Sequence, residues 1–257
     1  EAAKTKAEEA LAALGSADYT TALQIMKEIR DVVESIKAEN INGISSYTRT
    51  ANGIDAMQSD VCIKIIFHDD YVVRVHKSHS ANITKNSLTV VQPAAPATEF
   101  SVEEKDGEII LDNSHVVVKL DMATANVSVL RKDGTVLTEE VRSSFVPCND
   151  GPNKSNNIQQ SFRLSKDEYI FGLGQIQNGM LNQRGVSMNM VQTNMQVYTP
   201  YFQSTKNYGL FWDNYSPTTF VDSESQTQFM STGNEIDYYV LVGEKSTDVT
   251  PLMRKLT

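Results

Sequence analysis

The sequence predicts a mainly β fold, an antiparallel β-sandwich preceded by a short α-helical hairpin. Three observations carry this. From about residue 44 onward apolar residues alternate with polar ones, whereas the first forty residues show the about 3.6-residue period of a helix. Short apolar runs are separated by Asp-Gly turns, and no second helical segment appears before residues 246–256. The expected organisation is a helical hairpin over residues 1–40 and a sandwich over 44–257.

In the hairpin, Ala3, Ala7, Ala10, Leu11 and Leu14 fall at three- and four-residue steps. Gly15 offers a stop and Ser16 or Asp18 a new N-cap. Tyr19, Leu23, Met26, Ile29, Val33 and Ile36 then form the apolar stripe of a second helix. Such a pair has too little core to stand alone and is expected to pack on the following domain, on another copy or on a partner.

Within the sandwich, Val61, Ile63, Ile65 and Phe67 alternate with polar residues, Asp69-Asp70 makes a turn, and Val73 and Val75 continue on a return strand. Residues 78–99, with Pro93 and Pro96, read as an extended connection containing a short strand at 88–91. Segments 100–104, 109–111, 116–120, 127–130 and 136–138, with turns at Asp106-Gly107 and Asp133-Gly134, indicate an antiparallel meander. Residues 148–160 read as a polar, mobile loop, because they offer almost nothing to bury. Strands resume at 160–164 and persist to 238–242, and a final helix is expected to begin at Ser246 or Thr247.

The formal charge of −9 repels polyanions, and no Lys/Arg cluster with interleaved aromatics counters it, so nucleic acid is not expected as a partner. Nor does any apolar run of about 18 residues suggest a membrane span. The chain begins at Glu1 without an initiator Met, so its start reads as processed or engineered. A removed signal peptide would place it in the periplasm or on the cell surface. Cys62 and Cys148 allow one disulfide, but the alternating apolar setting of Cys62 favours a buried free thiol.

No complete catalytic constellation is legible. A glycosidase needs two carboxylates about 5 to 10 Å apart, and the acidic residues here lie in turns or at exposed alternating positions. None of the four histidines accompanies a nucleophile elbow, and His68, His76 and His79 lack metal-ligand spacing, so neither metal nor cofactor is expected. Gly172-Leu173-Gly174 lacks the third glycine and the parallel βαβ setting of a phosphate loop.

That last stretch does resemble something specific. Tyr169-Ile170-Phe171-Gly172-Leu173-Gly174-Gln175, Gln177-Asn178-Gly179 and Leu181-Asn182-Gln183-Arg184-Gly185 are similar to the signature near the end of the N-terminal sandwich of family 31 glycoside hydrolases, most of all in the α-xylosidase-like branch. Met190-Val191-Gln192-Thr193-Asn194, Pro200-Tyr201-Phe202-Gln203-Ser204, Asn207-Tyr208-Gly209-Leu210-Phe211-Trp212-Asp213-Asn214 and Ile236-Asp237-Tyr238-Tyr239-Val240 follow in the same order. The resemblance covers about four-fifths of the chain and excludes the helical hairpin.

It implies a galactose-mutarotase-like sandwich that packs against a catalytic (β/α)8 barrel of the same polypeptide. The barrel would supply the carboxylates of a retaining α-glycosidase acting on an oligosaccharide with α-linked xylose or glucose. It implies that this chain stops before the barrel or before an inserted carbohydrate-binding module, and is inactive alone. It also implies that a loop around residues 183–194 helps to wall the sugar subsites, with Arg184, Gln192 and Asn194 as substrate-binding residues. Carboxamides and a guanidinium suit arrays of vicinal hydroxyls; the competing reading is that Arg184 pairs internally and the amides cap turns. Tyr198, Tyr201, Tyr208 and Trp212 have the alternating placement of core or interdomain packing as much as of sugar platforms. The alternative function is a stand-alone carbohydrate-binding or adhesion sandwich; a mutarotase-type enzyme would need a paired His and Glu.

Overall fold

The computed structural model describes residues 43–83, 86–223 and 226–257. The helical hairpin expected over 1–40 lies outside the described residues. What is described is two antiparallel sheets packed face to face, with one terminal helix.

The first sheet runs β1 (Ile44–Arg49), β2 (Gly53–Gln58), β3 (Val61–Asp69), β4 (Val72–Ser78), β17 (Glu235–Val242), β14 (Tyr208–Trp212), β13 (Val197–Ser204) and β11 (Ile170–Gln175). The second runs β12 (Ser187–Met190), β15 (Thr218–Asp222), β16 (Gln226–Gly233), β10 (Asn153–Arg163), β9 (Val136–Asp150), β8 (Val127–Arg131), β7 (Val116–Asp121), β6 (Glu108–Asp112) and β5 (Ser101–Lys105). The sequence alternation becomes the core. Ile63, Ile65, Phe67, Val73 and Val75 face inward with Val116, Val118 and Leu120 of the meander, all fully buried. Trp212 stacks on Phe229 at 5.6 Å between ring centroids and donates its Nε1 hydrogen to Ser231 Oγ at 3.0 Å. Trp212 and Tyr208 are therefore core residues of the sandwich, both fully buried.

The terminal helix, α1 (Ser246–Leu256), begins where the sequence places it. Asp248 Oδ2 accepts the backbone N–H of Lys245 at 2.8 Å and closes the first turn. Its Val249 and Leu256 pack with Val72, Phe211, Tyr239 and Leu241 on the outer face of the first sheet, which is why β17 is buried along its whole length.

Two segments differ from expectation. Residues 148–160 are not a loop: β9 and β10 pair from Arg163↔Glu139 to Asn153↔Asp150, and β16 joins β10 from Asn156 to Arg163, so only the tip projects as a two-stranded arm. Its polar side chains carry no alternation because both faces of its outer half are wet, so only backbone pairing makes it a strand. Residues 88–91 are not a strand. They belong to a strap over the outer face of the first sheet, tied by Val91 N–H to Leu256 O at 3.0 Å and by Ala95 N–H to His68 O at 2.9 Å, with Leu88 and Val91 exposed. Cys62 and Cys148 are both free thiols, Cys62 buried. No helix among the described residues is long and apolar enough to cross a membrane.

Candidate functional site

The stretch that leads to the loop around 183–194 holds an irregularity. Phe171-Gly172-Leu173-Gly174 lies on edge strand β11, where the register with β13 shifts between Gly172 and Gly174. Gly172, Leu173 and Gly174 have φ of 125°, 65° and 110°. Glycine is required at 174: a Cβ there would lie 2.0 Å from the Val197 carbonyl oxygen, far inside contact distance. The bulge drives Leu173 into the core, fully buried, and ends β11 beside the start of β13.

From there residues 176–186 return along the edge of β11. Gln183 N–H donates to Ile170 O at 2.8 Å, and Asn182 Oδ1 accepts Ile170 N–H at 3.2 Å. Arg184 follows. Its Nε donates to Asp222 Oδ2 at 2.8 Å, and its Nη1 to the carbonyls of Ser165 at 2.8 Å and Glu168 at 2.5 Å. Asp222 is fixed from the other side by Gly185 N–H at 2.7 Å and by the Thr227 hydroxyl. Arg184 thus pairs internally, on the wall of a cleft of about 420 Å³ shared with Lys166, Tyr169 and Ser223. Beneath it, Glu168 is buried and accepts from Ser204 Oγ at 2.5 Å and Tyr208 OH at 2.8 Å, with Lys206 Nζ at 3.3 Å.

Gln192 and Asn194 lie elsewhere, on the loop between β12 and β13. The Gln192 carboxamide bonds the backbone of Tyr198 twice, Nε2 to the carbonyl and Oε1 from the N–H, both at 3.2 Å. Thr193 and Gln196 form a bridge within the loop. The loop is therefore pre-shaped, and it presents Asn194, Val191, Met195 and Val197 to solvent. Arg184 is anchored before β11 begins, whereas Gln192 sits beside Tyr198, the partner of Gly174. Four residue steps along the strand lead from Ile170 to Gly174, about 13 Å, so the structure brings Gln192 and Asn194 together but not Arg184 with them.

Two pairings escaped the sequence. His76 Nε2 lies 3.2 Å from Glu235 Oε2, a His/Glu pair of the kind a mutarotase would need, but both are buried and neither faces a cavity that holds the other. Burial holds the imidazole of His76 below its usual pKa, against the raising influence of Asp237 and Glu235. Arg74 grips Asp237 through two bonds of 2.9 and 2.7 Å. Only cross-strand register, Asp237 opposite His76 and Tyr239 opposite Arg74, would have foretold these contacts. Among the described residues no group of three or more His, Cys, Asp or Glu is placed to hold a metal ion.

Comparison with known proteins places this architecture. Residues 62–220 match the family model described as the glycosyl hydrolase 31 N-terminal galactose mutarotase-like domain. The chain is 31% identical over 210 residues to an α-xylosidase of Saccharolobus solfataricus, covering 76% of this chain and 28% of the relative. It is 23% identical to α-glucosidase 2 of Bacillus thermoamyloliquefaciens, covering 92% of this chain and 31% of that one. Among solved structures, a family 31 α-xylosidase from a soil metagenome, complexed with xylose, superposes with a TM-score of 0.71 at 20% identity over 78% of this chain and 32% of its own. A family 31 dextranase of Flavobacterium johnsoniae, complexed with glucose, gives 0.72 at 20% identity over 84% and 28%. The chain therefore spans about a third or less of the length of these larger proteins.

Proposed function

Since the chain belongs to glycoside hydrolase family 31 and matches that family's N-terminal galactose mutarotase-like domain, we propose that it is the non-catalytic N-terminal portion of a retaining α-glycosidase of the α-xylosidase or α-glucosidase type. It packs on a catalytic barrel of the same polypeptide and lends the β12–β13 loop to the sugar pocket.

The observation that carries the reading is this loop. Val191, Met195 and Val197 are 48%, 67% and 54% exposed around Asn194, on a loop already stiffened by Gln192. Apolar side chains clustered on a pre-shaped loop mark a surface meant to be covered. The carboxamide of Asn194 among them suits a hydroxyl-rich ligand. Arg184 lies at the other end of β12, where its bonds to Asp222, Ser165 and Glu168 fix the path that leads from β11 to β12. The buried carboxylates support a non-catalytic role: Glu140, Glu168, Asp222 and Asp237 are each engaged by a cation or hydroxyl within the sandwich.

Hydrolysis of aryl α-xylosides and aryl α-glucosides tests it. A polypeptide carrying this chain joined to its barrel should release the phenol, and the 257-residue chain alone should not. Asn194→Ala in the joined polypeptide should raise KM more than it lowers kcat. Turnover by the isolated chain, or an unchanged KM in the variant, would overturn the proposal.

A further inference from the structure

Three of the connections that cross between the sheets lie at one end of the sandwich. Met190 pairs with Thr218 and Val197 with Gln175, so the β12–β13 loop leaves that end. Trp212 pairs with Tyr238, and Thr219 with Met230, so the β14–β15 and β16–β17 connections leave it too. Between these last two lies a cleft of about 230 Å³ lined by Asn214, Tyr215, Ser216, Asn234 and Glu235, with Thr232 and Gly233 as its floor. It is smaller than the roughly 300–1,000 Å³ of sites for drug-sized ligands, a size that fits one sugar ring.

Its chemistry is that of a polyol site. Tyr215 is 45% exposed, and its hydroxyl is tied to Ser87 Oγ at 3.2 Å and to the Leu88 N–H, which holds the ring as a fixed platform. Asn214 Oδ1 is committed to Ser216 N–H at 2.8 Å, and Asn234 Oδ1 to Asn156 Nδ2 at 3.0 Å. Those bonds orient both carboxamides and leave their N–H₂ groups to donate. Glu235, whose Oε2 lies 3.2 Å from His76 Nε2, brings a carboxylate to the wall of the cleft. A rigid aromatic ring, two amide donors and one carboxylate together match the apolar face and vicinal hydroxyls of a pyranose better than an anion or an apolar ligand.

We infer that this cleft is a second sugar-binding subsite for an oligosaccharide, separate from the β12–β13 loop. Only β14 lies between β13 and β17, so two strand spacings, about 10 Å, separate the loop's base from Glu235. One oligosaccharide chain can reach both. The inference rests on the reading that this end of the sandwich faces sugar.

The test is a ¹H–¹⁵N NMR titration of the 257-residue chain with maltotriose and, separately, a xyloglucan heptasaccharide. Saturable shifts are expected at the amides of 214–216 and 232–235 with at least one of the two. Tyr215→Ala and, independently, Asn234→Ala should each weaken binding by about tenfold at an unchanged Tm. Asn234→Ala leaves the Tyr215 anchor intact, so it decides the matter if Tyr215→Ala fails to fold. Shifts confined to the β12–β13 loop, no shifts with either sugar, or unchanged affinity in Asn234→Ala would overturn the subsite. The first of these would leave the proposed function standing. Conversely, saturable cleft shifts beside an inactive barrel-bearing polypeptide would sink that function and keep the subsite.

Discussion

Replacing Lys77 by methionine should destabilise the sandwich by about 3 kcal/mol or more, the low end of the roughly 3–5 kcal/mol expected when one partner of a buried ion pair is removed. Lys77 and Glu140 are 2% and 1% exposed and meet between the sheets at 2.6 Å, Nζ to Oε2. Methionine fills most of the volume, so the loss is electrostatic. Glu140 would keep the Val127 N–H at 2.7 Å and the Tyr238 hydroxyl at 2.8 Å, and these two donors place the cost at the low end. Glu140→Gln reverses the problem, leaving the ammonium with Ser143 Oγ at 2.9 Å and the Ala125 carbonyl at 3.4 Å. The double variant removes both charges and should be less destabilised than the sum of the singles by about 2 kcal/mol. Urea denaturation at constant m-value measures all three differences. A Lys77→Met loss below about 1 kcal/mol, or strict additivity, would refute the claim that this pair is desolvated and coupled.

Stability should fall as pH drops from about 6.5 toward 5. His68 and His76 are both held below their usual pKa, each by burial first. The unfolded chain therefore binds protons that the folded one refuses, and stability rises with pH across this window; a flat urea midpoint between pH 7.5 and 5 would contradict it. Gly174→Ala should cost several kcal/mol or prevent folding, because φ is 110° and the methyl would meet the Val197 carbonyl. A comparison of soluble yield and Tm with Gly134→Ala, where nothing lies within 4 Å, isolates the clash. A thiol reagent should titrate Cys148 in the native state and Cys62 only after denaturation, since burial both shields Cys62 and raises its pKa; two fast thiols would show that β3 opens.

The β3–β4 hairpin, the meander and the final helix were legible because each carries a local period or turn: apolar alternation, Asp-Gly at 106–107 and 133–134, and a helix opening at Ser246. The β9–β10 arm was not, because a strand wet on both faces loses the alternation by which strands are read, and Asn, Ser and Lys then look like loop. Leu88 and Val91 have strand composition but no neighbouring strand to pair with; their N–H groups go to Tyr215 and Leu256 instead. The candidate segment could be marked in the sequence only as a stretch of chain and not as a geometry. Arg184 meets Asp222, and His76 meets Glu235, across separations that no local spacing encodes. The same limit applies to the cleft at Tyr215, whose walls come from two connections that only the sheet order brings together.

Two glycines of the stretch that carries the family resemblance act through backbone conformation. Gly172 and Gly174 flank a bulge whose three positive φ values bury Leu173 and bring Val197 close to the backbone of Gly174. That contact fixes where β13 starts, and the start of β13 fixes the loop bearing Gln192 and Asn194, through the two bonds from Gln192 to Tyr198. A larger residue at 174 would move the loop before it touched any ligand. The stretch therefore acts through placement: it sets the start of β13 and, through Gln192, the shape of the loop at one end of the sandwich. Asn194→Ala in the barrel-bearing polypeptide should accordingly impair sugar binding with the fold intact, whereas Gly174→Ala should lose both together.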